Sequence, residues 1–175
     1  MCIRDSINSL KKVNNYNQSY HWRLNIVGGE YSQSELIAIE DKLGKDIFSN
    51  SINFIPSVSH TKLFEYYHRS DLLIVPSYYE SFGLVALESL ACSTPVIASN
   101  VGGLNIIIKP DYNGFLFEAG DIDYLSKIII SLYSKNGKPD LSKLQLLSKN
   151  SLEHSNLFSW EKSAKKIISN MRNLV

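Results

Sequence analysis

Val75-Pro-Ser-Tyr-Tyr-Glu80-Ser-Phe-Gly-Leu-Val-Ala-Leu-Glu88-Ser-Leu-Ala-Cys-Ser-Thr-Pro95-Val-Ile-Ala98 reads as a strand end, a loop, a helix and a second strand. Leu72 to Val75 is a short apolar run stopped by Pro76, Phe82 to Cys92 has helical character, and Pro95 to Ala98 is again short and apolar. A helix between two short buried strands is a crossover unit, and its strands run parallel.

The same alternation extends outward in both directions. Arg23 to Val27 is predicted as a strand stopped by Gly28-Gly29, and Ile52 to Ile55 as a strand stopped by Pro56. Between them, Gln33 to Leu43 places Leu36, Ile37, Ile39 and Leu43 near helical spacing, with Gly44 at the end. Thr61 to Arg69 is predicted as a helix with Leu63, Phe64 and Tyr67 on its apolar face. Further on, Leu104 to Ile108 is a short helix, Asn113-Gly114 a turn, and Phe115 to Phe117 a fifth strand. Asp121 is a suitable N-cap for a helix over Ile122 to Tyr133. The tail from Leu141 is helical, with a break near Asn156 and a last helix from Trp160 to Met171. Asn14 to Gln18 is a loop or frayed helix end, and Asn136-Gly137-Lys138-Pro139 is too short a loop to separate domains. The expected fold class is α/β: one doubly wound, Rossmann-like parallel sheet. Such sheets bind ligands outside the carboxyl ends of their strands, here just after Val27, Ile55, Val75 and Ala98.

The chemistry concentrates in the loop after Val75. The first amides of the following helix have no intrahelical acceptor and sit at the positive end of its dipole. They form an anion site suited to a diphosphate. Gly83 lets backbone and ligand approach closely. Glu88 lies on the second turn, and helical side chains lean toward the N-terminus, so its carboxylate points back at the same mouth. A carboxylate there suits the paired hydroxyls of a ribose, and Glu80 in the loop meets the sugar beyond the phosphates.

Glu80 and Glu88, seven residues apart, enclose Ser81-Phe82-Gly83-Leu84 and are followed by Ala91-Cys92-Ser93-Thr94-Pro95-Val96. This EX7E pattern resembles the retaining, two-Rossmann-domain (GT-B) glycosyltransferases of family 4, the glycosyl transferases group 1. That group includes sucrose-phosphate synthase and the inositol-phosphate N-acetylglucosaminyltransferase of mycothiol synthesis. Val101-Gly102-Gly103, Asn113-Gly114-Phe115-Leu116 and Phe158-Ser159-Trp160-Glu161 also stand where the family has similar residues, so the resemblance runs from Arg23 to the C-terminal helix.

The resemblance implies that Glu80 contacts the transferred sugar as the catalytic residue. Ser81 and the amides of Phe82, Gly83 and Leu84 hold donor phosphates or sugar, and Gly28 and Gly29 line the phosphate side. Glu88 binds ribose, and Ile55, Pro56 and Val58 form the base pocket. It implies a nucleoside-diphosphate sugar as donor substrate, a UDP-hexose by analogy, transferred with retention and with no metal or other cofactor. Ser93 departs from the usual glycine and should alter only a helix end. The family's basic pair, an arginine and a lysine, is expected upstream of Ile7 in a segment missing from this sequence, as is the N-terminal domain that holds the acceptor. Residues 1–6 read as translated sequencing adapter, and 7–175 as the nucleotide-sugar-binding C-terminal domain of a GT-B enzyme. The fragment alone is expected to bind donor weakly and transfer nothing. Its expected location is cytoplasmic, with peripheral inner-membrane attachment through the other domain as an alternative.

Composition narrows the remaining classes. The chain has 175 residues, 44% hydrophobic and 20% charged, with a net charge of +1. Its scattered lysines give no basic surface for nucleic acid. No apolar run approaches the roughly 20 residues of a transmembrane helix. Cys2 and Cys92, the two cysteines, have no metal-ligand spacing, and neither do His21, His60, His68 and His154. Asp121-Ile122-Asp123 matches a two-aspartate metal motif, but its place at a helix start reads as capping. Cys92, Phe158 and Trp160 read as packing residues. A glycosidase, a sugar-nucleotide epimerase of the same fold and a non-catalytic nucleotide-sugar-binding subunit remain as alternatives.

Overall fold

Parallel strands with helical crossovers form the frame of a computed structural model that describes residues 2–16, 22–133, 138–159, 161, 162, 165 and 168. In chain order the elements are α1 Cys2–Tyr16, β1 Leu24–Val27, α2 Gln33–Leu43, α3 Lys45–Ser51, β2 Ile52–Ile55, α4 His60–His68 and β3 Leu73–Val75. They continue with α5 Leu84–Ala91, β4 Val96–Ser99, α6 Leu104–Ile107, β5 Gly114–Phe117, α7 Ile122–Ser131 and α8 Leu141–Ser155. The expected sheet is present as two hydrogen-bonded units, β1-β2 and β3-β4-β5, with every pairing parallel.

Strand β4 shows why the fold is layered. All four of its residues are buried, so both its faces are covered. Val96 and Ala98 pack with Val75, Ala86, Leu90, Leu104 and Ile107, the inner faces of α5 and α6. Ile97 packs on the other side with Phe115, Phe117, Leu125, Ile128 and Ile129 beneath α7. Alternation along one strand therefore feeds two cores, and each fully buried aliphatic side chain contributes about 1.5–3 kcal/mol.

Helix α1 joins the two sheet units. Ile7 packs with Ile26, Leu43 and Ile52 beneath β1-β2, whereas Val13 belongs to the cluster under β4 and β5. The helix includes residues read from the sequence as adapter, and Asp5 and Ser6 are buried in it. It also takes in Asn14 and Asn15, which were read as loop or frayed end.

Most element ends lie within one or two residues of the sequence reading, and two differences trace to glycine. Gly44 ends α2 at φ +87°, donating its N–H to the Glu40 carbonyl at 2.8 Å, and its own carbonyl then accepts from Phe48 at 3.1 Å. One glycine thus closes α2 and opens α3, a helix without an apolar stripe to betray it. Helix α5 starts at Leu84 rather than Phe82, because Gly83 adopts a left-handed φ of +88°. The caps at Ser32 and Asp121 form as side-chain hydrogen bonds to Glu35 and Tyr124 amides. The break at Asn156 is present, but most of the expected last helix, Trp160 included, lies outside the described residues, as do Tyr20, His21 and residues 134–137.

Helix α5 closes with Ser93 N–H to the Leu90 carbonyl at 3.0 Å and Thr94 N–H to the Ser89 carbonyl at 2.9 Å. This is a Schellman motif with Ser93 in the left-handed position, φ +64°. A side chain there costs about 1–2 kcal/mol, which exceeds the extra unfolded-state entropy of glycine. Ser93→Gly should therefore raise stability by about 0.5 to 1 kcal/mol, measured by denaturant unfolding of the chain; a lower midpoint would refute the strain.

Candidate functional site

The loop between β3 and α5 is built on a glycine pair. The Glu80 carbonyl accepts the Gly103 N–H at 3.1 Å. A Cβ on Gly102 would lie 1.7 Å from that carbonyl oxygen, and one on Gly103 would lie 2.3 Å from the Phe82 carbonyl oxygen. No other residue permits this approach. From the sequence, Gly102-Gly103 reads equally as a turn or as a ligand contact; the structure makes it the bed of the Glu80–Phe82 loop. On the loop's other flank, a Cβ on Gly120 would lie 2.9 Å from the Tyr78 hydroxyl, so the turn before α7 closes against it.

Glu80 bends back within this loop, and one carboxylate oxygen accepts the Gly83 N–H at 3.1 Å. Gly83 is needed for its left-handed φ and because a Cβ would meet Leu104 at 2.9 Å. Beyond it, Leu84, Val85 and Ala86 open α5. Among the described residues, no main-chain carbonyl of the preceding turn accepts from their amides. Phe82, Leu84 and Val85 are 50%, 55% and 46% exposed, so the mouth of the helix is open to solvent with an apolar rim. Ser81 stands exposed beside it.

Glu88 sits one turn further along the same exposed stripe, four residues after Leu84 and three after Val85, while Ala86, Ser89 and Leu90 form the buried face. Glu88 is half-buried, and its carboxylate accepts the Tyr67 hydroxyl at 3.2 Å. Burial, and then the Glu88 charge, push the Tyr67 phenol well above its usual range. The same two causes raise the Cys92 thiol.

The second half of the candidate site lies at the ends of β1 and β2. Gly28 and Gly29 both have left-handed φ, +94° and +90°. The Gly28 N–H donates to the Ile55 carbonyl at 2.9 Å, and the Tyr31 hydroxyl to the Gly28 carbonyl at 3.1 Å. Ile55 and Val58 are half-buried and Pro56 is exposed. The predicted residues thus lie at or beyond the carboxyl ends of β1, β2 and β3, as the sheet rule requires. Within that edge, contacts unite Glu80 with Gly83, Glu88 with Tyr67, and Gly28 with Ile55.

The two aspartates of the Asp121-Ile122-Asp123 motif have other partners. Asp121 caps α7, its carboxylate accepting the Tyr124 N–H at 2.9 Å, and Asp123 pairs with Lys12 of α1, which lowers its carboxyl pKa. Phe158 packs against the α5 core. Among the described residues no cluster of three or more His, Cys, Asp or Glu is arranged to hold a metal. No helix among them is long and apolar enough to cross a membrane.

Residues 4–153 match the family model described as "Glycosyl transferases group 1", and the chain belongs to that family. The chain is 35% identical over 147 residues to D-inositol 3-phosphate glycosyltransferase from Mycobacterium marinum, covering 84% of this chain and 30% of that protein. Sucrose-phosphate synthase from Thermosynechococcus elongatus superposes with a TM-score of 0.75 at 33% identity, covering 98% of this chain and 42% of that one. HepE from Anabaena, in complex with UDP, superposes with a TM-score of 0.76 at 20% identity, covering 97% of this chain and 44% of that one. The domain is therefore the Rossmann-like C-terminal domain of a GT-B glycosyltransferase, and the chain spans less than half the length of these relatives.

Gly102→Ala should lower stability by about 2 kcal/mol or more, as overpacking against backbone does. Hydrogen exchange should locate the damage: amides of residues 101–104 lose protection while those of α7 keep it. Full protection at Gly103 would show that the loop does not rest there.

Proposed function

We propose that this chain is the donor-binding part of an enzyme that transfers a hexose from a nucleoside diphosphate, preferentially UDP, to an acceptor hydroxyl with retention. The observation that carries the reading is the opening of α5: one acid bound to the Gly83 amide, unengaged amides beyond it, and a second acid one turn on. Because Glu80 already takes the Gly83 N–H, the diphosphate belongs on the amides of Leu84 and Val85. Phe82 and Ser81 border the sugar. Ribose hydroxyls meet Glu88, the base lies by Ile55, Pro56 and Val58, and Gly28 and Gly29 close the phosphate side. HepE supports the choice of UDP, since its structure contains that nucleotide.

The chemistry follows from charge. As the glycosidic bond lengthens, the sugar becomes oxocarbenium-like and negative charge gathers on the leaving diphosphate. Amides and the α5 dipole stabilise that growing charge without moving. Glu80 opposes it on the sugar side, where positive charge develops. The scheme needs no cofactor or metal. The acceptor belongs to an N-terminal domain outside this chain, so the chain alone should bind donor weakly and transfer nothing. A cytoplasmic location suits a nucleotide-sugar substrate.

In the full-length enzyme, Glu88→Ala should weaken UDP binding about tenfold or more, the scale of a hydrogen bond to a charged group. Calorimetry that finds unchanged affinity would remove its ribose role. Glu80→Gln should lower kcat about a hundredfold while leaving donor affinity within about threefold; unaltered turnover would count against a place beside the sugar.

A further inference from the structure

Tyr67 is 5% exposed in the last turn of α4, yet its hydroxyl reaches out of the core to a single described acceptor, Glu88 Oε2, at 3.2 Å. The rest of Tyr67 is held rigidly. Its carbonyl accepts the Thr94 hydroxyl at 2.6 Å. Thr94 is itself 1% exposed, and its carbonyl accepts the Ser89 hydroxyl at 3.0 Å. Ser89 is the neighbour of Glu88, so the phenol and the acid are both anchored to the same end of α5. A flexible glutamate on an open helix face samples several rotamers, and a fixed donor selects one. The phenol stays protonated over the working range, because burial and the Glu88 charge oppose its ionisation, and so it always donates.

We infer that Tyr67 is a positioning residue: by holding Oε2 of Glu88 it fixes the carboxylate and leaves Oε1 to receive the hydroxyls of the bound nucleotide. The inference rests on the reading of Glu88 as the ribose acid. It makes a buried residue of the α4 core a determinant of how well the site distinguishes ribose from a sugar lacking hydroxyls.

The test uses Tyr67→Phe, which keeps the ring and its packing, in the full-length enzyme, with UDP and 2′,3′-dideoxy-UDP as probes in calorimetry. Loss of the hydroxyl should raise the Kd for UDP about fivefold to tenfold, on the scale of one net hydrogen bond, and leave that for the dideoxy nucleotide within twofold. Glu88→Gln and the double variant complete the cycle; with Glu88→Gln already present, Tyr67→Phe should have no further effect on the UDP to dideoxy-UDP ratio. Equal weakening of both nucleotides by Tyr67→Phe, or no weakening of either, would overturn the positioning role. If Glu88→Gln leaves the ratio at its wild-type value, the ribose reading of Glu88 falls instead, whatever Tyr67→Phe does.

Discussion

The close passage of the Gly102-Gly103 backbone beneath the carbonyls of Glu80 and Phe82 is the constraint on which the site depends. Two main chains approach there within distances that a Cβ would forbid, and a hydrogen bond from Gly103 fixes the register. The loop after β3 is consequently held by the loop after β4. That support presents Glu80 to the start of α5 and lets its carboxylate take the Gly83 amide. A loop fastened only at its two ends would leave an acid and a helix mouth free to drift apart, and electrostatic stabilisation depends on groups that need not reorganise.

The sheet supplies the platform. Strand β4 is buried on both faces, so the loop at its carboxyl end starts from a fully packed strand. Helix α1 packs at once beneath β1-β2 and beneath β4-β5, which ties the two sheet units together. At the far end of α5, Ser148 of α8 donates to the Ser93 carbonyl at 2.6 Å, so both termini of the helix that bears Glu88 are tied down.

Within that platform the two acids differ in what surrounds them. Glu80 engages a backbone amide of its own loop, a contact that a ligand hydroxyl can share. Glu88 is held by a phenol from another helix. In the proposed reaction the first arrangement places charge where a sugar departs, and the second orients charge for paired hydroxyls. Both depend on the left-handed glycine at 83, which ends the loop, starts the helix and leaves its amide turned toward Glu80.

Much of this was legible in the residues. Strand and helix alternation, the stops at Gly28, Pro56 and Pro76, and the cap at Asp121 all act through neighbours a few positions away, and so they show in local pattern. The Glu80 and Glu88 spacing pointed to a helix mouth for the same reason. Helix α3 was hidden because it has no apolar stripe, and the start of α5 was displaced because Gly83 adopts a left-handed φ at a position where Leu104 leaves no room for a side chain. The role of Gly102-Gly103, the reach of the Tyr67 hydroxyl to Glu88 and the bridging by α1 join residues about twenty to more than a hundred positions apart. Side-chain periodicity carries no information about such meetings. The sequence by itself determined most of the segments that form elements and the spacing of the two acids; the tertiary structure decided what holds those acids, because that depends on close packing between chain segments that only folding brings together.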